Sequence, residues 1–300
     1  MSGIDTSFLR GSVPPIATPF RDGKVDYDGY ARLIEFQVAN GTHGILVNGT
    51  TSEPSTLTLD ERKQLLRVAV QAAARRVPVL AATGSQSHAE TVELTEAAAR
   101  DGAAALLVVT PYYIRPPQRG LVEFYRDIGK RTPLPLLIYH IPGRTAVNVE
   151  LGTLQQIGET VPTLAGIKHA VNDFGMVSDM VQAFGPRFRI FVGLEEYSFP
   201  MMAVGACGLM NAVANIAPRQ VADLAEAVER GDMARARELH YALYELNKAV
   251  FFDTNPIPMK YMMRRLGFLE RNEHRLPMLP ATPELERRLD GVLQRAGLMR

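Results

Sequence analysis

The 300-residue chain contains a single cysteine, Cys207, and no tryptophan. One thiol excludes an internal disulfide framework, and with no Cys-x-x-Cys pair there is no zinc-ribbon or dithiol redox motif, so a reducing compartment is expected. An excess of charge is also missing. The 33 Lys and Arg against 32 Asp and Glu leave a net charge of +1. Basic residues gather no further than pairs such as Arg75-Arg76, which excludes a nucleic-acid footprint. No run of about 18 apolar residues occurs, and the first ten residues carry Asp5 and Arg10 without an apolar segment. The expectation is a soluble, cytoplasmic protein with no nucleic-acid or membrane partner.

What the chain does have is a 46% hydrophobic composition, enough to bury one large core. Eight short apolar runs predict strands at 13–19, 44–48, 77–83, 104–110, 134–140, 164–169, 188–192 and 208–213. Most are followed by a segment with helical spacing. Their nearly continuous hydrophobicity is that of parallel strands covered on both faces, and eight βα units in about 230 residues predict a (β/α)8 TIM barrel. Thr58-Leu59-Asp60-Glu61 and Ser87-His88-Ala89-Glu90 fit the capping box of a helix start, and Gly41, Gly102, Gly185 and Gly231 fall where helices should end. Beyond Gly231 the alternation stops. Three amphipathic segments, 232–250, 258–266 and 283–298, predict a C-terminal helical subdomain, so the expected division is a barrel over 1–230 and helices over 231–300.

In such a barrel the chemistry sits where strands end. The sixth predicted strand ends in Gly166-Ile167-Lys168. A lysine inside an apolar run is costly as a cation, and burial favours the neutral amine, a nucleophile that converts a ketone to an imine and so creates an electron sink. The alternative is a strand lysine whose head reaches solvent. Tyr139 ends the neighbouring predicted strand, so its phenol is placed to pass protons during imine formation, although tyrosine is commonly a packing residue. Tyr113 would extend a hydroxyl relay through Thr50, or else is an interface aromatic. Gly49-Thr50-Thr51 offers amides and hydroxyls to a small carboxylate, and Arg144, after Pro142-Gly143, is suited to a second carboxylate unless it is simply solvated.

These strand-end motifs resemble those of the dihydrodipicolinate synthase and N-acetylneuraminate lyase family of class I, pyruvate-dependent lyases. The resemblance runs from Pro15-Ile16-Ala17-Thr18-Pro19-Phe20 through Gly49-Thr50-Thr51, Thr110-Pro111-Tyr112-Tyr113, Tyr139, Pro142-Gly143-Arg144, Gly166-Ile167-Lys168 and Asn215 to Asn255-Pro256-Ile257-Pro258. It implies a Schiff-base lysine at Lys168, a proton relay of Tyr139, Thr50 and Tyr113, a pyruvate-carboxylate site at Thr50, Thr51 and Gly49, and Gly193 and Met210 near the substrate. It implies further that Tyr113 reaches a neighbouring subunit's site in a homotetramer built as a dimer of dimers. Arg144 matches the synthase branch, where it would hold the carboxylate of an aldehyde.

The resemblance thus points to condensation of pyruvate with aspartate semialdehyde to give 4-hydroxy-tetrahydrodipicolinate, with the lysine imine as the only covalent aid and no cofactor or metal. Ser52 and Pro54 in the threonine turn, His140 in place of an asparagine, and Glu195-Glu196 depart from the family pattern. They leave open a catabolic aldolase or dehydratase acting on a hydroxylated 2-oxo acid. A metal-dependent aldolase would need clustered histidine and carboxylate ligands, whereas His43, His140 and His169 are scattered along the chain. A non-catalytic oxo-acid sensor would need no proton relay.

Overall fold

The computed structural model describes residues 4–299. Its strands, in chain order, are β1 (Gly11–Ser12), the pair β2 (Phe20–Arg21) and β3 (Lys24–Val25), then β4 (Ile45–Val47), β5 (Val79–Ala82), β6 (Ala105–Val109), β7 (Leu136–His140), β8 (Leu164–His169), β9 (Arg189–Val192) and β10 (Gly208–Leu209). Apart from the β2–β3 hairpin, all pair in parallel in the order β1-β10-β9-β8-β7-β6-β5-β4. A bridge between Pro15 and Leu46 joins the two ends, and the expected barrel closes. Helices α1 (Tyr27–Ala39), α2 (Leu59–Ala73), α3 (His88–Arg100), α4 (Gln118–Lys130), the short α5 (Pro142–Thr145), α6 (Leu151–Thr160), α7 (Phe174–Phe184), the short α8 (Ser198–Ala203) and α9 (Pro218–Glu229) follow the strands. The chain ends in α10 (Met233–Ala249), α11 (Ile257–Arg265) and α12 (Pro283–Arg295).

The strands alternate, but between two buried cores. Leu46, Leu80, Leu107, Leu137, Tyr139 and Phe191 fill the inside of the ring, while Ile45, Val79, Leu106, Ile138 and Ile167 face the helices. Each such apolar side chain stabilises the fold by about 1.5–3 kcal/mol, and a one-residue slip would exchange the two sets. Register is therefore tightly held, and it places Tyr139 beside Lys168. The outer core continues without a break into Leu239, Leu243 and Leu246 of α10, Met262 and Met263 of α11, and Leu289 and Leu293 of α12.

Four details depart from expectation. The first strand is regular only at Gly11–Ser12, because Pro14, Pro15 and Pro19 have no N–H to give. The Asn215 amide takes over: its Nδ2 donates to the Pro15 carbonyl at 2.9 Å and its Oδ1 accepts from Ala17 N–H at 3.1 Å. The last strand stops at Leu209, and Ala212–Asn215 forms a 3-10 turn instead. At the start of α2 the Thr58–Glu61 capping box is complete. Ser87 caps α3 through its hydroxyl alone, because the Glu90 carboxylate accepts from Ser85 Oγ at 2.6 Å. The hairpin, unanticipated, turns on Asp22 (φ 52°) and Gly23 (φ 77°), the Asp-Gly pair that favours a tight two-residue connection.

Candidate active site

Lys168 and Tyr139 are register partners on β8 and β7, both facing the inside of the barrel at its carboxyl end. The Lys168 ammonium nitrogen lies 4.4 Å from the centroid of the Tyr139 ring, and the residues are only 3% and 6% exposed. The pair stands side by side on neighbouring strands. Gly193, just beyond β9, leaves room for the lysine stem: a Cβ there would stand 3.0 Å from Lys168 Cε and 2.8 Å from Ala170 Cβ. Gly166 permits the strand its close approach to β9, since a Cβ would fall 2.0 Å from the Arg189 carbonyl oxygen.

The Tyr139 hydroxyl meets Thr50 Oγ1 at 3.3 Å. Thr50 begins a 3-10 turn, Thr50–Ser52, that follows β4 through Gly49. A buried amine against the face of a phenol, and a hydroxyl bonded to that phenol, thus lie together beside a cavity of about 740 Å³ at the barrel mouth, groups of the kind that pass protons. Gly49, Thr50, Tyr139, Arg144, Tyr112 and Asn255 are among its walls. Thr51 is buried beside it, with its hydroxyl accepting from Asn255 Nδ2 at 3.0 Å. Arg144, on α5, has one 3.4 Å hydrogen bond to the Asn255 carbonyl and, among the described residues, no carboxylate in an ion pair with it. Met210 is buried in the inner core.

Tyr113 is not brought to this chain's own site. It is 86% exposed, at φ 73°, and Tyr112 lines the cavity in its stead. His140, one residue past Tyr139, faces the helix layer, 3.3 Å from His169 Nδ1 and 2.8 Å from Asn148 Oδ1. Burial lowers the affinity of both imidazoles for a proton, and His169, with His140 beside it, falls to about 4. Glu195 and Glu196, which depart from the family pattern, do not line the cavity. Glu195 is buried and accepts from the amides of Ala212 and, at 3.2 Å, Val213. Burial pushes its carboxyl up to about 7 against the pull of those two amides and of Lys168.

One cluster escaped sequence reasoning. Glu53, Lys260 and His274 have side chains no more than 1% exposed, and Lys260 Nζ donates to Glu53 Oε1 at 2.8 Å. Among the described residues no group of three or more His, Cys, Asp or Glu is placed to hold a metal ion, and no helix is long and apolar enough to cross a membrane.

Residues 8–296 match the Dihydrodipicolinate synthetase family. The chain belongs to that family. It is 44% identical to the 4-hydroxy-tetrahydrodipicolinate synthase of Thermus thermophilus, with 97% of each chain aligned. The fold agrees with the crystal structure of dihydrodipicolinate synthase from Aquifex aeolicus at a TM-score of 0.94 and 40% identity, covering 96% of this chain and 98% of that one. It agrees equally, at a TM-score of 0.94 and 34% identity over 97% and 100% of the chains, with the chloride-inhibited dihydrodipicolinate synthase of Acinetobacter baumannii complexed with pyruvate.

Proposed function

We propose that the chain is a 4-hydroxy-tetrahydrodipicolinate synthase that joins pyruvate to aspartate semialdehyde through an imine on Lys168. The observation that carries this reading is the buried Lys168 amine stacked on Tyr139, with the phenol hydrogen-bonded to Thr50 at the cavity wall. The names of the Thermus and Aquifex relatives and the pyruvate complex of the Acinetobacter enzyme support it. The amine adds to C2 of pyruvate, and Tyr139 and Thr50 move the proton that lets the carbinolamine lose water. Loss of a methyl proton gives an enamine. Its carbon bonds to the aldehyde carbon, whose oxygen takes up a proton. The semialdehyde's own amine then displaces Lys168, closing the ring and freeing the lysine, with one water released overall and no cofactor consumed.

In this reading Gly49, Thr50 and Thr51 hold the pyruvate carboxylate, Arg144 takes the carboxylate of the second substrate, and Gly193 and Met210 shape the floor. Tyr113 and Ile114, 86% and 67% exposed, are presented to a second copy of the chain, whose relay Tyr113 completes in a cytoplasmic homotetramer. Residues 231–300 act as a helical subdomain bracing the barrel. The catabolic aldolase alternative loses much of its motive, because His140 faces away from the mouth and Ser52 is buried with its hydroxyl on the Ile16 carbonyl. Of the departures near the turn, Pro54 lines the cavity.

Borohydride trapping with pyruvate, followed by peptide mass spectrometry, tests the reading. The expected result is a reduced adduct on the peptide containing Lys168, absent from Lys168→Ala, together with turnover of aspartate semialdehyde in a coupled assay. A folded protein that binds pyruvate and forms no adduct would overturn it. Release of pyruvate from hydroxylated 2-oxo acids, without semialdehyde turnover, would favour the aldolase.

A further inference from the structure

Glu53 stands between two 3-10 turns, Thr50–Ser52 and Pro54–Thr56, at φ 56° and ψ 45°. Glycine takes this left-handed backbone without steric cost, and glutamate does not. The side chain accounts for the choice. Its carboxylate accepts from Lys260 Nζ at 2.8 Å and lies 3.3 Å from His274 Nδ1, in surroundings closed to solvent. Lys260 belongs to α11, where its ammonium nitrogen also lies 4.4 Å from the Phe20 ring centroid. A second tie comes from the same region. Asn255, two residues before α11, donates to Thr51 Oγ1 at 3.0 Å while its carbonyl accepts from Arg144. The C-terminal segment thus grips the threonine turn twice, once by charge and once by an amide.

A buried ion pair adds little net stability over apolar side chains of equal volume, whereas losing one partner is costly. What the charged pair supplies that apolar packing would not is direction. From the left-handed backbone and the two ties we infer that Lys260 and Glu53 are positioning residues: they hold the Thr50-Thr51 turn so that Thr50 meets Tyr139 and the Thr51 hydroxyl is aimed. The inference rests on the roles proposed above for Thr50 and Thr51.

The test compares the wild-type protein with Glu53→Gln/Lys260→Met, which removes both charges together and leaves neither one buried alone. Melting temperature, the rate of borohydride-trappable imine at saturating pyruvate, and the pyruvate concentration for half-saturation are read in parallel. The expected double variant is folded, forms imine about tenfold more slowly, and needs about tenfold more pyruvate, as small misplacements of reacting groups do. Asp290→Asn breaks the ion pair with Arg265 in the same helical region and serves as the control, expected to lower the melting temperature while leaving imine formation within about twofold. Asn255→Ala leaves the charges paired and is the second arm, expected to raise half-saturating pyruvate severalfold. It decides the matter if the double variant does not fold. Imine rate and pyruvate affinity within about twofold of wild type in the folded double variant, or in Asn255→Ala, would overturn the positioning role. A wild-type protein that traps no pyruvate would overturn the Schiff-base reading and this inference with it, so the two failures are distinguishable.

Discussion

Two buried glutamates, Glu53 and Glu195, are 4% and 2% exposed, yet their protons are held in opposite senses. Burial pushes both carboxyls up. At Glu53 the His274 hydrogen bond and the Lys260 charge overcome burial and hold the carboxyl below its ordinary value. At Glu195 two backbone amides and the more distant Lys168 do not, and it rises to about 7. The comparison teaches that depth sets the cost of a charge while the partner decides whether the charge persists. One site is a fixed ion pair, the other a carboxyl that keeps its proton toward neutrality.

The sharpest way to break the comparison is to take away the partner. Lys260→Met should cost about 3–5 kcal/mol in urea unfolding, because it strips the buried Glu53 carboxylate of its cation and leaves it only the His274 hydrogen bond. Glu195→Gln acts next, through pH. The folded protein binds the Glu195 proton more tightly than the unfolded chain, so this contribution is fully present below the ordinary 4.5 and is lost as pH rises through about 7. The wild-type protein should therefore lose up to about 3 kcal/mol relative to Glu195→Gln between pH 4.5 and 8, and equal slopes for the two proteins would refute the assignment. His169 extends the comparison to a base with the opposite sign. Its stabilisation is present above the ordinary 6.5 and lost as pH falls through about 4, so His169→Asn should flatten the acid limb by about 2–3 kcal/mol. The smallest effect belongs to an exposed pair. Glu229→Ala, which frees Arg10 at the surface, should change stability by less than about 0.5 kcal/mol in the same titration.

What could be read from the sequence follows from how local each signal is. The strands of the barrel wall are legible because both faces are buried and the apolar runs are continuous, and Lys168 and Tyr139 are legible because each ends such a run. The proline-rich first strand is regular earlier than its apolar run suggests, since beyond Ser12 its ladder is interrupted by prolines and is completed in part by Asn215, 200 residues away from Pro15. The Ser87 motif promised a full capping box, but its carboxylate found a nearer hydroxyl. Asp22-Gly23 was a signal that went unread, because the strands flanking it are two residues each. Glu53 and Lys260 had no local signal at all. Their partnership spans 207 residues and exists only once the C-terminal helices have folded back over the turn.

The proline-rich seam of the barrel has a mechanical meaning. Seven joints of the ring are ladders between strands, whereas the joint between the first strand and β4 rests on the isolated bridge at Pro15 and Leu46 and one further main-chain bond from His43 to Ser12, while Asn215 clasps the first strand to the turn after β10. A tube with unequal joints parts at the weakest one, so heating should loosen the first strand before the rest of the wall. The β7–β8 joint lies diametrically opposite. In a hydrogen-exchange map the amides flanking Lys168 and Tyr139 should accordingly be among the last to open, and the reactive pair would keep its spacing until most of the barrel had come apart.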